Sequence, residues 1–275
     1  MNKTNSDGLQ LVHADAIPAV IMTGYQDRSL SNVFHHRAYM PSELNDYQPI
    51  VPLLDTLHMA GSQDTVTLIL NGDGGYVSTA AHLAAAITRS QAVVVGEAFG
   101  RVSSAHTLSL LCCDVILPVQ STLVMAHNMN MGSAGSGMEP IQHVSAALNW
   151  CHTIFEEYQL PFLSIEEMES VFKNNATLWF YDEEDVNNRI FTTMWMRAAT
   201  GGLKPEAFNM FIDLVSSGVY SNCKLVNIST LVELFDQLEH MEPLEVGNTN
   251  NLTIMEHYGL FGEHNNPVDY LCSLD

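Results

Sequence analysis

Basic residues are scarce in this sequence. Lysine and arginine total 10 against 31 aspartates and glutamates, which gives a formal net charge of −21 at pH 7. A surface of this charge repels a phosphate backbone instead of recruiting one. We therefore expect no nucleic-acid partner.

Long apolar runs are also missing. The chain opens on the polar residues Met-Asn-Lys-Thr-Asn-Ser-Asp-Gly. Nowhere do about 18 apolar residues follow one another, as a membrane-spanning helix requires. The sequence predicts a protein of the cytoplasm with neither a secretion signal nor a membrane partner.

Cysteine is sparse, and the five cysteines form neither a CxxC metal pair nor a disulfide framework. His35 and His36 are adjacent, but no acidic or cysteine partner stands at a zinc-ligand spacing. We expect reduced thiols, no metal and no cofactor.

Apolar and β-branched residues, by contrast, are abundant and regularly placed. Hydrophobic residues make up 47% of the chain and charged residues 15%, which is typical of a globular protein. Short β-branched runs alternate with segments in which apolar residues recur at helical spacing, a pattern that predicts an α/β fold with parallel strands. Strands are predicted at 17–24, 65–70, 92–96, 115–118 and 122–126, and helices at 46–60, 77–87, 106–113, 141–158 and 164–172.

The connections and the domain organisation follow from the same pattern. The polar residues 25–46 are predicted to form a loop and 96–104 a turn. We predict one domain over 1–192, whose first 14 residues are a polar leader. A C-terminal extension over 193–275 is expected to pack on this domain. The extension is expected to be α+β, with helices at 205–215 and 229–238 and a strand at 225–228.

Three short segments contain residues that could carry chemistry. Residues 72–75, Gly-Asp-Gly-Gly, lie between a predicted strand and a helix, where backbone amides can face a ligand. Neither GxGxxG nor the phosphate-loop lysine is present, so a nucleotide has little support, and a plain tight turn is the alternative. Ser104 stands where a helix begins and His127 ends an apolar strand, although a helix cap and a structural histidine are the commoner roles.

Taken together, these segments resemble the proteolytic subunit of the Clp protease, ClpP. Its motifs Asn-x-x-Gly-Gly-x-Val, Gly-x-Ala-x-Ser and Met-x-His are similar to residues 71–77, 100–104 and 125–127. The likeness covers roughly residues 17–190. It implies a crotonase-like spiral of ββα units in which the glycine loop at 132–137 and the long helix after it form the handle that borders the substrate groove.

The resemblance also implies an activity. A serine endopeptidase would attack the peptide carbonyl with Ser104 and form an acyl-enzyme, with His127 as general base. The amides of Gly75 and Ala105 would form the oxyanion hole. The family further implies a polypeptide substrate, a homo-oligomeric ring, and an unfoldase or scaffold partner. A virus-encoded member would act in the host cytoplasm.

Two positions depart from the family pattern. Where the family carries the aspartate of its triad, counting back from Glu184 gives Thr177, whereas counting forward from the preceding helix gives Asn175; Asp182 would serve only with a shifted strand. His106 replaces a small residue after the nucleophile. It could crowd the site or lend a second imidazole, but we expect it to be a partly exposed helix histidine.

Two other functional classes remain open at this point. A ClpP-like structural or assembly protein, catalytically weakened or inactive, would account for the missing aspartate. A crotonase-type acyl-CoA enzyme shares the fold, but ten basic residues offer little for binding a nucleotide.

Overall fold

The computed structural model describes residues 20–25, 33–240, 249–262, 264 and 267–274. Within these ranges strands and helices alternate over the first two thirds of the chain, and the remainder is helical. The strands are β1 (Val20–Tyr25), β2 (Phe34–Tyr39), β3 (Glu43–Leu44), β4 (Thr65–Gly72), β5 (Gly74–Gly75), β6 (Val93–Ser103), β7 (Val115–Ile116), β8 (Gln120–His127) and β9 (Thr177–Phe180).

The helices of the described ranges account for most of the remaining residues. A single 3₁₀ turn, Gln48–Ile50, leads into the first of them. They are α1 (Val51–Met59), α2 (Val77–Arg89), α3 (Ala105–Leu111), α4 (Glu139–Gln159), α5 (Ile165–Asn174), α6 (Glu183–Ala199), α7 (Pro205–Ser216), α8 (Ile228–His240), α9 (Thr249–His257) and α10 (Pro267–Leu274).

A mostly parallel seven-stranded sheet forms the centre of the protein, which confirms the α/β prediction. Its order is β1-β2-β4-β6-β8-β9, with β7 also paired to β6. The inner pairs are parallel, whereas β1 on β2 and β9 on β8 are antiparallel. The separate pair β3 and β5 is parallel. The carboxyl ends of β4, β6 and β8 therefore meet at one edge of the sheet.

The β-branched runs form the inner strands because both of their faces can be covered. Val66, Leu68 and Leu70 of β4 are fully buried, and the first four residues of β6 are all buried. The predicted helices at 46–60, 77–87, 106–113, 141–158 and 164–172 correspond to α1–α5 with shifts of a few residues. The leader at 1–14 and the start of the first predicted strand, 17–19, lie outside the described residues.

The predicted loop at 25–46 is wrong where the structure describes it, because β2 and β3 lie there. Residues 26–32 lie outside the described ranges. Strand β2 pairs with β1 on one side and β4 on the other, so its backbone groups are satisfied although Ala38 is its one buried residue. Pairing on both sides therefore makes a strand of a sequence whose polar composition is typical of a loop.

The predicted turn at 96–104 is also wrong, because β6 continues to Ser103. The glycine within it marks a bulge: Gly100 has φ 64°, and the register against β8 shifts between Phe99 and Arg101. The Asn71 side-chain oxygen accepts a hydrogen bond from the backbone amide of Arg101, at 3.3 Å. An isolated glycine in this strand signals a bulge and not its end.

The predicted strand at 225–228 is absent, since residues 223–227 have no regular structure. Here Lys224 and Val226 donate their amides to the side chains of Asn188 and Thr192 on α6, at 2.9 and 3.0 Å. The backbone is therefore satisfied by a helix and not by a neighbouring strand. Helices α7 and α8 confirm the predictions at 205–215 and 229–238, and the described part of the extension is helical.

Residue 192, where the sequence predicted the end of the first domain, lies inside α6. Trp195 of the same helix is fully buried, packs edge-on against Phe261 at 5.9 Å and donates its indole N–H to Leu260 O at 2.9 Å. One cluster of buried hydrophobic side chains runs from Ala38 to Leu271. The two parts of the chain thus share a core. None of the described helices has the length and apolarity needed to cross a membrane.

A partly buried ion pair joins the two parts. Lys204 Nζ lies 2.7 Å from Asp114 Oδ2 and also donates to the carbonyls of Ile87 and Ala92, both at 3.0 Å. Burial raises the pKa of Asp114, and the ammonium opposes that rise. We expect Lys204→Met to lower the free energy of unfolding by about 2 to 3 kcal/mol, because it leaves a carboxylate without its cation in a largely desolvated place.

Urea denaturation measures this cost. The double variant Asp114→Asn/Lys204→Met should be less destabilised than Lys204→Met alone, because no unpaired charge remains. The control Lys173→Met removes the exposed pair with Glu169 (2.7 Å) and should change stability by less than about 1 kcal/mol. Equal losses in all three variants would contradict the expectation.

Candidate active site

Ser104 forms a strained turn between β6 and α3. Its φ is 57° and its ψ −120°, a region that residues with a side chain rarely adopt, and its amide donates to Met125 O at 2.8 Å. The side chain makes no capping hydrogen bond to α3, although Ser104 stands at the N-cap position. The hydroxyl is therefore directed away from the role that a serine before a helix usually has.

The hydroxyl of Ser104 meets the imidazole of His127. Ser104 Oγ and His127 Nε2 are 2.8 Å apart, across 23 residues of chain. Because β6 and β8 are parallel neighbours, with Ser103 opposite Met125, their carboxyl ends bring the two side chains together. With Nε2 unprotonated, the hydroxyl donates and the imidazole accepts, as a nucleophile and its base require.

Burial sets the protonation state of this imidazole. His127 is half-buried, and desolvation lowers its pKa below the ordinary value. Within the described part of the chain, Ser104 is its one hydrogen-bond partner, and no neighbouring charge contributes to the shift. The imidazole of His127 is thus neutral at pH 7, and the described residues give it no carboxylate partner.

Neither candidate for the third member is bonded to the imidazole. Thr177 lies directly opposite His127 in the antiparallel pair of β8 and β9, so its exposed side chain is on the same face of the sheet. Asn175 ends α5 in the left-handed conformation, with φ 51°, and is exposed. Asp182 caps α6 by accepting the amides of Glu184 and Asp185. Of the two rivals, register places Thr177 beside the base.

The glycine turn lies against the serine. Gly74 has φ 108°, and a Cβ at this position would stand 2.7 Å from both Ser103 O and Ser104 Cβ, and 3.0 Å from the amide nitrogen of Ala105. Such approaches leave no room for a side chain. The turn and the start of α3 are therefore in direct backbone contact.

The small sheet of β3 and β5 holds this turn in place. The amides of Asp73 and Tyr76 donate to Ser42 O and Leu44 O, at 3.0 and 2.9 Å. Gly75 has φ 140°, and a Cβ there would come within 2.5 Å of the Leu44 backbone. Gly75 thus contacts β3, whereas Gly74 is the glycine that touches the nucleophile turn.

Ala105 is the first residue of α3, and its amide has no acceptor within the helix. The first helical bond runs from Leu108 N to Ser104 O at 3.2 Å. The amide of Ala105 therefore lies beside both the serine and the glycine turn, where it can donate to an oxyanion.

The expectation for His106 is wrong. Its side chain is fully buried and not partly exposed, and its Nε2 is 2.8 Å from Pro41 O. The neighbouring residues of α3 are buried as well, so the helix offers this position no solvent-facing side. Helical periodicity does not predict the burial of His106, because this burial arises only when a segment 65 residues earlier in the chain packs over the helix.

Sequence reasoning missed Arg101. Its guanidinium is 3.0 Å from Asp73 Oδ1, its Nε donates to Ser103 Oγ at 3.1 Å, and its Cζ lies 5.6 Å from the ring centroid of Trp179. One side chain thus connects the glycine turn, the serine strand and β9. The sequence could have indicated this residue, because an arginine inside the segment 100–104 is unusual in a chain with ten basic residues.

Comparison with known proteins leaves the family of the chain open, since no family model matches it and no curated protein does. In the described ranges, no three His, Cys, Asp or Glu side chains cluster as a metal site would require.

Gly74→Ala tests the contact between the two turns. We expect it to lower the free energy of unfolding by more than Gly137→Ala does. Gly137 has a similarly positive φ of 60°, but a Cβ there meets nothing within 4 Å. The control should therefore report backbone strain alone, about 1 kcal/mol, and Gly74→Ala that strain plus the steric conflict. Equal midpoints in urea would contradict the close packing.

Proposed function

We propose that this chain is a serine peptidase of the ClpP kind, with Ser104 as nucleophile and His127 as general base. The observation that carries the proposal is the 2.8 Å contact between Ser104 Oγ and His127 Nε2 at a strained strand–turn–helix junction, next to the first amide of α3. Strain of this kind persists where the surroundings enforce it, and it is common at active sites. A structural serine or histidine would need none of these features.

The reaction follows from the positions of these groups. His127, neutral because it is desolvated, accepts the Ser104 proton as Oγ attacks the carbonyl carbon of a peptide bond. The amides of Ala105 and Gly75 donate to the oxyanion that develops. His127 then protonates the leaving amine, and an ester on Ser104 remains until a water, deprotonated by the same imidazole, hydrolyses it. No cofactor enters any step.

The missing carboxylate limits the rate. In serine proteases with a full triad, the carboxylate orients the imidazole and stabilises the imidazolium; replacing it with an amide costs on the order of 10⁴ in kcat. Here the candidate beside the base is Thr177, which can donate or accept a hydrogen bond but carries no charge. We therefore propose slow turnover.

The lack of a carboxylate beside His127 among the described residues also supports a second candidate function, that of a ClpP-like assembly protein without activity. Apolar side chains are exposed at the start of α4 and just before it, where Ile141 is 61% and Met138 62% exposed. An open groove of about 440 Å³ runs along this part of the helix, lined by Ile141, Val144, Leu148 and Ser133. Exposed apolar area of this kind is typical of an interaction surface.

The fold and assembly are part of the proposal. The parallel sheet with α4 projecting after β8 supports a ClpP-like spiral in which α4 is the handle, and the apolar surface of α4 supports a homo-oligomeric ring. We further propose a polypeptide substrate, delivered by an unfoldase or belonging to a scaffold, and action in the cytoplasm, that of the host if the protein is viral. A negatively charged surface is consistent with an absence of nucleic acid.

Labelling of the serine decides between peptidase and silent protein. A fluorophosphonate should modify the wild type at Ser104, identified by peptide mass spectrometry, and should not modify Ser104→Ala. Ser136→Ala, at an exposed loop position, is the matched control and should label like the wild type. Hydrolysis of casein should follow the same order. A wild type that takes up no label would favour the assembly protein.

The pH dependence tests the base. Because desolvation lowers the pKa of His127, the acidic limb of the labelling rate should have its midpoint below pH 6.5, the ordinary value for histidine. Thr177→Asp places a carboxylate opposite the imidazole, so it should raise that midpoint and increase the rate.

Asn175→Asp is the matched control for this change. It introduces the same charge at the other candidate position and should leave the midpoint nearly unchanged. A larger effect of Asn175→Asp would assign the third member to Asn175, and a wild-type midpoint above pH 6.5 would contradict the role of burial.

A further inference from the structure

His106 lies in an unusual environment directly after the nucleophile turn. Its side chain has no solvent exposure, and one ring nitrogen, Nε2, lies 2.8 Å from Pro41 O. The other, Nδ1, is buried and has no hydrogen-bond partner among the residues that the structure describes. Since a carbonyl can only accept, Nε2 carries the proton and Nδ1 is unprotonated. The ring is therefore neutral in the folded protein.

The ring also fills the space beneath the glycine turn. A Cβ at Gly72 would stand 2.4 Å from His106 Nε2 and 2.3 Å from Ser42 O. The imidazole thus contacts both chain segments that build the turn. Gly72 leads into it, and the segment after Pro41 pairs with it.

A series of contacts connects His106, through residues 41 and 42, with the glycine turn and the start of α3. His106 donates to Pro41 O, the next carbonyl, that of Ser42, accepts the Asp73 amide at 3.0 Å, and Gly74 then packs against the start of α3. His106 belongs to that same helix, one residue beyond Ala105. The imidazole therefore fixes the distance between the glycine turn and the helix that bears the second amide.

We propose that His106 is a positioning residue of the oxyanion site, and that its neutral imidazole holds the glycine turn against the nucleophile turn until acid opens it. This role rests on the proposed peptidase function, but the opening itself is a property of the fold. His106 touches no reacting atom and acts through Pro41, Ser42 and the glycine turn.

Protonation would disturb this arrangement for a structural reason. A proton on Nδ1 would be a buried donor to which the described residues offer no acceptor, while Nε2 is already bonded to Pro41 O. Burial is also the main cause that lowers the pKa of His106; the carbonyls of Pro41 and Ser42 and the charge of Asp73 oppose it only in part.

Few charged groups can compensate. In the described part of the chain, Asp73 is the one charged side chain that contributes to the shift, and it is already paired with Arg101 at 3.0 Å. Glu43, on the strand beside the turn, is exposed and bonded to Asn45. The other elements packed on α3, namely α2, α4, β4, β6 and β8, contribute no charge to this imidazole.

Lowering the pH should weaken the closed arrangement of the glycine turn. A histidine whose pKa is lowered in the closed state stabilises that state above its ordinary pKa of about 6.5, and the stabilisation is lost as pH falls below it. Each further pH unit can lower the ratio of closed to open turn by up to about tenfold, until the pKa of the closed state is reached. The glycine turn should therefore open in acid before the rest of the sheet does.

Hydrogen exchange measures this opening without requiring any activity. Amides of residues 42–45 and 72–76 are followed by mass spectrometry between pH 7.5 and 5.5, with intrinsic rates corrected. In the wild type we expect protection of these segments to fall by up to about tenfold, while that of residues 65–70 of β4 stays constant. His106→Gln, whose side-chain amide can donate to Pro41 O but does not titrate, should remove the pH dependence.

His82→Gln is the matched control, since it replaces an exposed histidine of α2 and should behave like the wild type. If His106→Gln does not fold, the wild type still provides a test: the NMR titration of His106 should have a midpoint below pH 6.5 that coincides with the loss of protection. Protection independent of pH in the wild type, or the same loss in His106→Gln, would overturn the proposal.

The exchange result and the labelling result are separate. If Ser104 takes up no fluorophosphonate at any pH, the peptidase function fails, while exchange at 42–45 and 72–76 still decides whether His106 holds the turn. If labelling occurs, the wild type should lose it more steeply in acid than His106→Gln does. Identical acid limbs in the two proteins would overturn the positioning role.

Discussion

Two backbones touch without an intervening side chain where the glycine turn passes the end of β6. Gly74 lies so close to Ser103, Ser104 and Ala105 that a single added carbon would collide with all three. This contact explains why Ser104 adopts a strained conformation, because the chain must turn sharply between the strand below and the helix above. It also brings the amide of Ala105 beside the serine hydroxyl. The candidate site depends on this packing.

In the rest of the candidate site, burial and not a neighbouring charge is the main influence on the pKa of the histidines. Within the described ranges His127 has no carboxylate partner, and desolvation lowers its pKa. His106 is kept neutral by the same effect, one residue beyond the amide of Ala105. A desolvated imidazole resists protonation, so both rings can stay neutral without a charged partner. Under the proposed function, the site would be sensitive to acid at two separate histidines.

The fold could be predicted from sequence where local signals and tertiary environment agree. The runs at 65–70 and 122–126 are apolar and β-branched, so each favours a buried strand by itself, and α1–α5 follow helical periodicity. The prediction failed where pairing overrides composition. Strand β2 is polar but is paired on both sides, β6 passes through a glycine by forming a bulge, and the apolar segment at 225–228 is satisfied by side chains of α6.

By itself, the sequence determined the local conformations of the site. Glycines at 74 and 75 permit positive φ, a serine stands at a strand–helix junction, and a histidine ends a strand. Only the tertiary structure decided that Ser104 and His127 lie 2.8 Å apart, that Thr177 faces the base without bonding it, and that His106 is buried. Local preference depends on a few neighbouring residues, whereas distance, burial and the pKa of a histidine depend on segments that meet only when the sheet is complete.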